Sequence, residues 1–502
     1  MLEVQVHHIL RQMMRDRVSA GGVRTAHRPE NRPIGSWPHQ LTMARLVARA
    51  LRLQQSAIIQ TGLSPAGTYQ VNYASSYLVP ALLWPGSVAI VATATIRQRL
   101  LESDIPQLQT QLGSSKAIYH QQPSKPSNMS GQALWLISPE QWLADYQNLE
   151  LPILVDGADR LEQWINDWQQ VQITPQDWDA LVVAAPQQAE QIRDRRVRLT
   201  KNIFQRPVNP YNCYLLTTNE RQLIPPPLTQ RISDDWLVWA KIDRSQGLFT
   251  LFASQIELNS NLNQPAQLWT RSSHILIGNV LDVDHAATSY RQELGLGEVT
   301  CVKFAASKRS LPQLYVPNWM PMPNTKKFQE IFLVAAMRLL AQRLRQDEVP
   351  RAVGLIVIVI GDTPMKAQIA AQVAAEYGSR VQVENPNLLA SSILVTGWEF
   401  WNDHQELLPS PQLLIIATLP IPSLEDPLVA AKVICYKRQR QDWFRNYLLP
   451  VGLRVLQRSI SAIRQSAGLV VIFDNRINHR SYGKQVLAAF HPIDRIDAPE
   501  LR

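Results

Sequence analysis

Four short stretches hold residue types that could do chemistry. The first is IIQTGLSPAGTY at 58–69, where Gly62 and Gly67 have the G-x-x-x-x-G spacing of a loop that cradles phosphates with backbone N–H groups. Such a loop needs a lysine for the β- and γ-phosphates and a Ser or Thr for Mg²⁺. Thr68 and Tyr69 stand in those places, and the first lysine of the chain is Lys116. Removing a cation aimed at developing charge costs about 3–4 kcal/mol, or roughly 10²–10³ in rate. Taken alone, the stretch also reads as a plain strand-to-helix turn with two permissive glycines. The second is ILVDGADRL at 153–161, where Asp156 ends an apolar run. A carboxylate there suits a Mg²⁺ ligand, or it caps the next helix. Gly157 replaces the water-activating Glu of an active site. The third, VLQRSISAIRQ at 455–465, offers Arg464 to a phosphate or to solvent. The fourth, TGWEFWNDH at 396–404, offers Trp398, Phe400 and Trp401 for base stacking or for packing.

These stretches need a scaffold that presents strand ends. Apolar runs occur at 57–59, 87–93, 133–137, 152–156, 180–186, 274–280, 355–360, 391–397, 413–418 and 469–474. Continuous Val/Ile/Leu runs mark strands buried on both faces, and the helical segments between them make βαβ units with parallel sheets. The runs fall into two groups, so the expectation is an α/β chain of two parallel-sheet domains. The expected boundaries are an N-terminal helix and linker at 1–31, a first domain at 32–285 and a second at 286–502. Residues 187–265 are less regular and read as an insertion in the first domain. The basic stretch QIRDRRVRLTK at 191–201 reads as a helix within it.

Bulk composition bounds the rest. The 502 residues exceed one compact core. No apolar run is long enough to span a bilayer, and the first residues lack the apolar stretch of a secretory signal. A cytoplasmic protein with no membrane partner is expected. Cys213, Cys301 and Cys435 lie too far apart for a CxxC metal site or a disulfide framework. No nucleophile elbow surrounds Ser64 or Ser423. A net charge of +9 is compatible with a polyanionic partner.

In order along the chain, the segments resemble the DinG/XPD-type branch of superfamily 2 DNA helicases, from about residue 32 to 493. WPHQLTMARLVARAL (37–51) resembles the family's opening R…Q…M motif. QTGLSPAGTY holds the place of TGxGKT, and VDGAD that of DEAH. IVATATIRQRLLESDIPQL (90–108) is similar to the TxT…L motif, and ILIGNVL (275–281) stands at the Ser-Ala-Thr-Leu coupling motif. GWEFWNDH resembles Phe-Trp-Glu-Gly-Val-Asp, and TLPIPSLEDP (418–427) is similar to "LPF…P.DP". QRSISAIR (457–464) stands where QGxGRLIR belongs, and FDNR with SYGK resembles the "D.R…YG" ending.

The resemblance implies two RecA-like lobes. It implies Gln40 on adenine, Thr61, Gly62, Gly67 and Thr68 around phosphate, Asp156 on Mg²⁺ and Arg464 as a catalytic arginine. Thr93, Thr95, Trp398, Phe400 and Trp401 would contact the nucleic acid. The departures fall on the catalytic groups. The loop lysine is absent, the DEAH Glu and His are Gly157 and Asp159, and Ser-Ala-Thr is Gly278-Asn279-Val280. The first motif arginine is Ser461, and Arg458 and Ile460 replace glycines. Three cysteines cannot supply the four-cysteine iron–sulfur site of many relatives. The expectation is a monomeric, DinG/XPD-like protein that binds single-stranded DNA, with weak or no ATP hydrolysis and a doubtful ATP/Mg²⁺ site. A helicase with divergent motifs, completed by Arg97 or Arg99, and a protein-interaction scaffold are the alternatives. DNA repair is the process the resemblance implies.

Overall fold

The computed structural model describes residues 2–20, 37–62, 73–120, 132–145, 150–230, 232–233, 236–255, 269, 272–282, 284–304, 311–345, 354–405 and 408–497. The first lobe opens with β1 (Ala57–Gln60), β2 (Val88–Val91), β3 (Ala117–Tyr119), β4 (Ala133–Ile137) and β5 (Ile153–Asp156). An antiparallel sheet follows, made of β6 (Val171–Ile173), β7 (Cys213–Leu215), β8 (Leu237–Asp243) and β9 (Leu248–Ser254). The chain then returns through β10 (His274–Gly278) and β11 (Thr300–Lys303) to complete a seven-stranded parallel sheet, ordered β11-β1-β10-β5-β2-β4-β3. Strands β1, β2, β4, β5 and β10 are buried along their whole length, which is why they read as unbroken apolar runs. Because β10 lies between β1 and β5 and all three are parallel, Thr61, Asp156 and Asn279 emerge at one edge of the sheet.

The second lobe repeats the architecture. Its strands are β12 (Gln313–Tyr315), β13 (Leu355–Val359), β14 (Val381–Val383), β15 (Ile393–Thr396), β16 (Pro411–Ile416), β17 (Leu469–Ile472) and β18 (Asp494–Ile496), ordered β14-β15-β13-β16-β17-β12-β18. The FDNR stretch after β17 ties this lobe together. Asp474, fully buried, accepts the Leu419 N–H at 2.8 Å and is gripped by the Arg476 guanidinium at 2.6–3.0 Å. The Asn475 amide donates to the Asn318 and Met320 carbonyls.

Four expectations need correction. Residues 2–20 form one helix whose Leu2, Val6 and Leu10 enter the first-lobe core beside the helix Gln40–Leu53, so the N-terminus is part of that lobe. The i, i+4, i+8 spacing of those three residues is the amphipathic stripe that does this. The run at 180–186 is helical up to Ala184, within Pro175–Ala184. Its N-terminus is set by a capping box, in which Thr174 Oγ1 accepts the Asp177 N–H while the Asp177 carboxylate accepts the Thr174 N–H. The antiparallel sheet begins at Val171 and runs to Ser254, so the insertion starts before residue 187. Finally, β11 pairs with β1, which carries the first lobe to Lys303 instead of 285.

A buried histidine gives this lobe a pH dependence. His274 opens β10, is 1% exposed, and packs against Trp142 and Trp269 with Nδ1 at 2.9 Å from the Ser272 carbonyl. Burial pushes its pKa from 6.5 down to about 4, against that hydrogen bond. The unfolded chain therefore binds more protons between those two values, and stability falls as pH drops through them. Urea unfolding at pH 7 and pH 5 is expected to show a loss of about 2 kcal/mol from this group. An unchanged free energy would contradict the assignment.

Candidate functional site

Asp156 is the centre of the shared sheet edge. It closes β5, is fully buried, and accepts two hydrogen bonds from tyrosine hydroxyls. Tyr73 donates to Oδ1 at 2.6 Å and Tyr77 donates to Oδ2 at 2.7 Å. The two tyrosines lie at i and i+4 across the start of the helix Ala74–Leu83, so one helical face presents both rings to the carboxylate. Burial raises the Asp156 pKa, while the tyrosine donors and Arg99 act to lower it. Both tyrosines are pushed well above their ordinary range, first by burial and then by Asp156 itself, so they remain protonated donors. Arg99 is itself held by Asp104, Nε to Oδ2 at 3.2 Å.

The start of the glycine loop is stitched to its neighbour strand. The Thr61 N–H and hydroxyl both donate to the Gly278 carbonyl, at 2.9 and 3.2 Å, and the Gly62 N–H donates to the Asn279 carbonyl at 2.9 Å. Gln60 does the same from its side chain. Its Oε1 accepts the Leu281 and Asp282 N–H groups, and its Nε2 donates to the Asp284 carbonyl. Gly62 has φ +65°, the left-handed conformation that favours glycine. Gly67 and Thr68 lie outside the described residues. Gln40, expected on adenine, is 1% exposed and its amide donates to the Ser75 hydroxyl. Lys116 is no displaced loop lysine. Its Nζ donates at 2.8 Å to the carbonyls of Ala81, Trp84 and Gly86, at the end of the helix Ala74–Leu83 away from Tyr73.

Residues that depart from the family pattern meet across the two lobes. Asn279 of the first lobe donates to the Ser461 hydroxyl of the second at 2.5 Å, and both residues are buried. Arg458, at a glycine position of the pattern, donates to the Asp159 carbonyl. One turn earlier, Arg454 is clamped between Glu293 and Glu162, the latter at 3.6 Å. Burial opposes the Arg454 charge, but Glu293 and Glu162 raise its pKa above the ordinary arginine value. Glu293 is placed by Tyr290, whose hydroxyl donates to the Ala158 carbonyl at 2.6 Å. An exposed pair, Arg160 with Asp403 at 3.3 Å, adds a further bridge. The motif pattern gives no role to the residue types of Tyr73, Tyr77, Asn279 and Arg454 at those places.

The remaining site residues divide. Arg464, expected on a phosphate, donates from Nη2 to the Phe490 and His491 carbonyls of its own lobe. Trp401 is fully buried with its indole N–H on the Ser459 carbonyl at 2.8 Å, so it is a core residue and not a strand contact. Phe400 stacks on His404 at 4.1 Å, and Trp398 packs over Gly361; both are half-buried. Thr93 begins the helix Ala94–Arg99 at the end of β2, with Thr95 exposed beside it.

Comparison with known proteins agrees with this geometry. Residues 366–493 match the helicase C-terminal domain family. The ATP-dependent DNA helicase YoaA of Escherichia coli (strain K12) is 31% identical over 108 residues, which is 21% of this chain and 17% of YoaA. The match thus spans under a fifth of that relative's length. Two solved structures share the two-lobed fold. S. tokodaii Xpd4 superposes with a TM-score of 0.57 at 12% identity, over 92% of this chain and all of that one. An XPD helicase superposes with a TM-score of 0.55 at 12% identity, over 93% of this chain and all of that one. The chain thus joins a segment that matches the helicase C-terminal domain family to a two-lobed fold shared with XPD helicases.

Proposed function

We propose that the chain is a nucleic-acid-binding protein of helicase fold, with single-stranded DNA as its favoured ligand, that has lost ATP hydrolysis. The observation that carries this reading is the pair of tyrosine hydroxyls on Asp156. A Mg²⁺ ligand must offer a carboxylate oxygen to the ion, and here the carboxylate is fully buried with each oxygen already facing a tyrosine hydroxyl. The residues present do not fit a Mg²⁺–nucleotide. The carboxylate is enclosed, the first loop N–H groups point at carbonyls, and no lysine stands in the loop. Arg99, an alternative source of cation, is paired with Asp104. The lobes meet through Arg454, Arg458, Asn279 and Ser461, in contacts that need no bound nucleotide. What remains is a two-lobed basic scaffold whose named relative is a DNA helicase.

Purified protein tests the proposal in one preparation. Binding to an oligonucleotide that weakens steeply with salt is expected, with no DNA-stimulated phosphate release above background. Phosphate release that is stimulated by DNA and abolished by Asp156→Ala would overturn the loss of hydrolysis. Absence of oligonucleotide binding even at low salt would favour a protein-interaction scaffold.

A further inference from the structure

A surface of the second lobe combines cations with aromatic rings. The helix Pro427–Arg438 begins at Asp426, whose side chain accepts the Leu428 N–H. It ends in a turn at Arg440, with φ +55°, that brings 442–448 back beside it. Asp442 fixes the return by accepting the Phe444 and Arg445 N–H groups at 3.1 Å. Between 432 and 445 the chain carries Lys432, Lys437, Arg438, Arg440 and Arg445 against the single acid Asp442.

The rings interleave with these charges. Lys437 Nζ lies 5.4 Å from the Trp443 ring centroid. Trp443 meets Phe444 edge-on at 6.2 Å, and Phe444 meets Tyr482 at 5.1 Å. Exposed Arg480 and Lys484 flank Tyr482 in sequence at the other end. At the inner end, Tyr436 stacks on Tyr447 at 5.6 Å with Lys432 above it. Lys437, Arg438, Arg440 and Arg445 are exposed, and Trp443, Phe444 and Tyr482 are half-buried. Half-buried rings are held rigidly while keeping part of their surface open to a ligand.

We propose that this face, from Lys437 through Trp443 and Phe444 to Tyr482, is a contact surface for single-stranded nucleic acid. The inference rests on the nucleic-acid-binding reading above and adds a location to it. Cations along a track neutralise phosphates, and flat rings between them take unpaired bases, the combination that sequence-tolerant single-strand binders use. A duplex would engage the cations but keep its bases stacked on one another. The rings therefore favour a single strand.

The test uses the full chain and a fluorescently labelled oligo-dT of about 20 nucleotides. Reversing three exposed charges (Lys437→Glu, Arg438→Glu, Arg440→Glu) is expected to weaken binding at least tenfold. It should also flatten the log–log salt slope by about 2, since each single-strand phosphate contact contributes about 0.7. Trp443→Ala is expected to weaken binding roughly tenfold, while Trp443→Phe, which keeps a ring face, retains it. If the unaltered chain binds and the charge-reversed chain binds equally with the same slope, this face is not the strand site, although the proposed function stands. If charge reversal weakens binding and Trp443→Ala does not, the single-strand assignment is overturned. If the unaltered chain binds no oligonucleotide at low salt, the proposed function fails first, and this surface with it.

Discussion

Asp156→Ala is expected to destabilise the first lobe by about 2–4 kcal/mol and to leave nucleic-acid binding by the surviving folded protein intact. A Mg²⁺-holding carboxylate would behave the opposite way, because its loss spares the fold and removes activity. The difference follows from the partners. Deleting Asp156 leaves the Tyr73 and Tyr77 hydroxyls buried without their acceptor, and each such group costs about 1–3 kcal/mol. Part of that is offset, since the variant no longer buries a carboxylate whose pKa burial has raised. Asp156→Asn should cost less, about 1 kcal/mol, because the amide oxygen still accepts one hydroxyl and the other can rotate to accept from the amide nitrogen. The pH sign is opposite to that of His274. A raised carboxyl pKa means the folded state holds its proton longer. Its contribution is therefore greatest below the unfolded value and is lost as pH rises through the folded one. Urea unfolding of the three proteins checks the order. An Asp156→Ala variant as stable as the parent, but deficient in Mg²⁺-dependent nucleotide binding, would restore the metal-ligand role.

The same site shows what a sequence can and cannot disclose. The strands β1, β2, β4, β5, β10, β13, β15, β16 and β17 were legible because burial on both faces forces continuous apolar runs. The short edge strands β3, β14 and β18 are only partly buried and carry no such run. The antiparallel β8 and β9 were hidden for another reason. β9 alternates buried and half-exposed residues, so its pattern has a period of two. At the site, the loss of catalytic residue types at Gly157 and Ser461 was visible, since it is a matter of identity at a motif position. Their replacement chemistry was not. Tyr73 and Tyr77 point at Asp156 only because β1 and β5 share an edge, with about eighty residues of chain between the tyrosines and the aspartate. Asn279 and Ser461 are 182 residues apart, and nothing local marks them as partners. Trp401 illustrates the converse. An aromatic in a suggestive motif carries no sign of which face it presents, and the fold turned this one into the core.

Arg454→Met is expected to loosen the two lobes from each other, with a cost of about 3 kcal/mol. Removing one partner of a buried ion pair strands the other, typically at 3–5 kcal/mol. The lower end applies here because Glu293 keeps 27% of its side-chain surface in solvent and Glu162 keeps 32%. The exposed Arg160–Asp403 pair cannot compensate, since pairs of that kind contribute about 0–1 kcal/mol. In nucleotide-driven enzymes an arginine finger reaches a phosphate held by another part of the assembly, so the ligand couples the two. Here Arg454 reaches Glu293 and Glu162 directly, and the coupling is written into the chain. Calorimetry should show the consequence, with a single cooperative transition in the parent and two in Arg454→Met, as each lobe unfolds by itself. The double variant Arg454→Met with Glu293→Leu removes the closer of the two stranded carboxylates, leaving Glu162 with 32% of its side chain in solvent, and is expected to recover part of the free energy through apolar contact across the same surface. Recovery of stability without any splitting of the transition in the single variant would place the coupling elsewhere, at Asn279–Ser461 and Arg458. If neither variant alters the melting profile, the lobes are joined by something other than these side chains, and the idea of a cleft closed without nucleotide is lost.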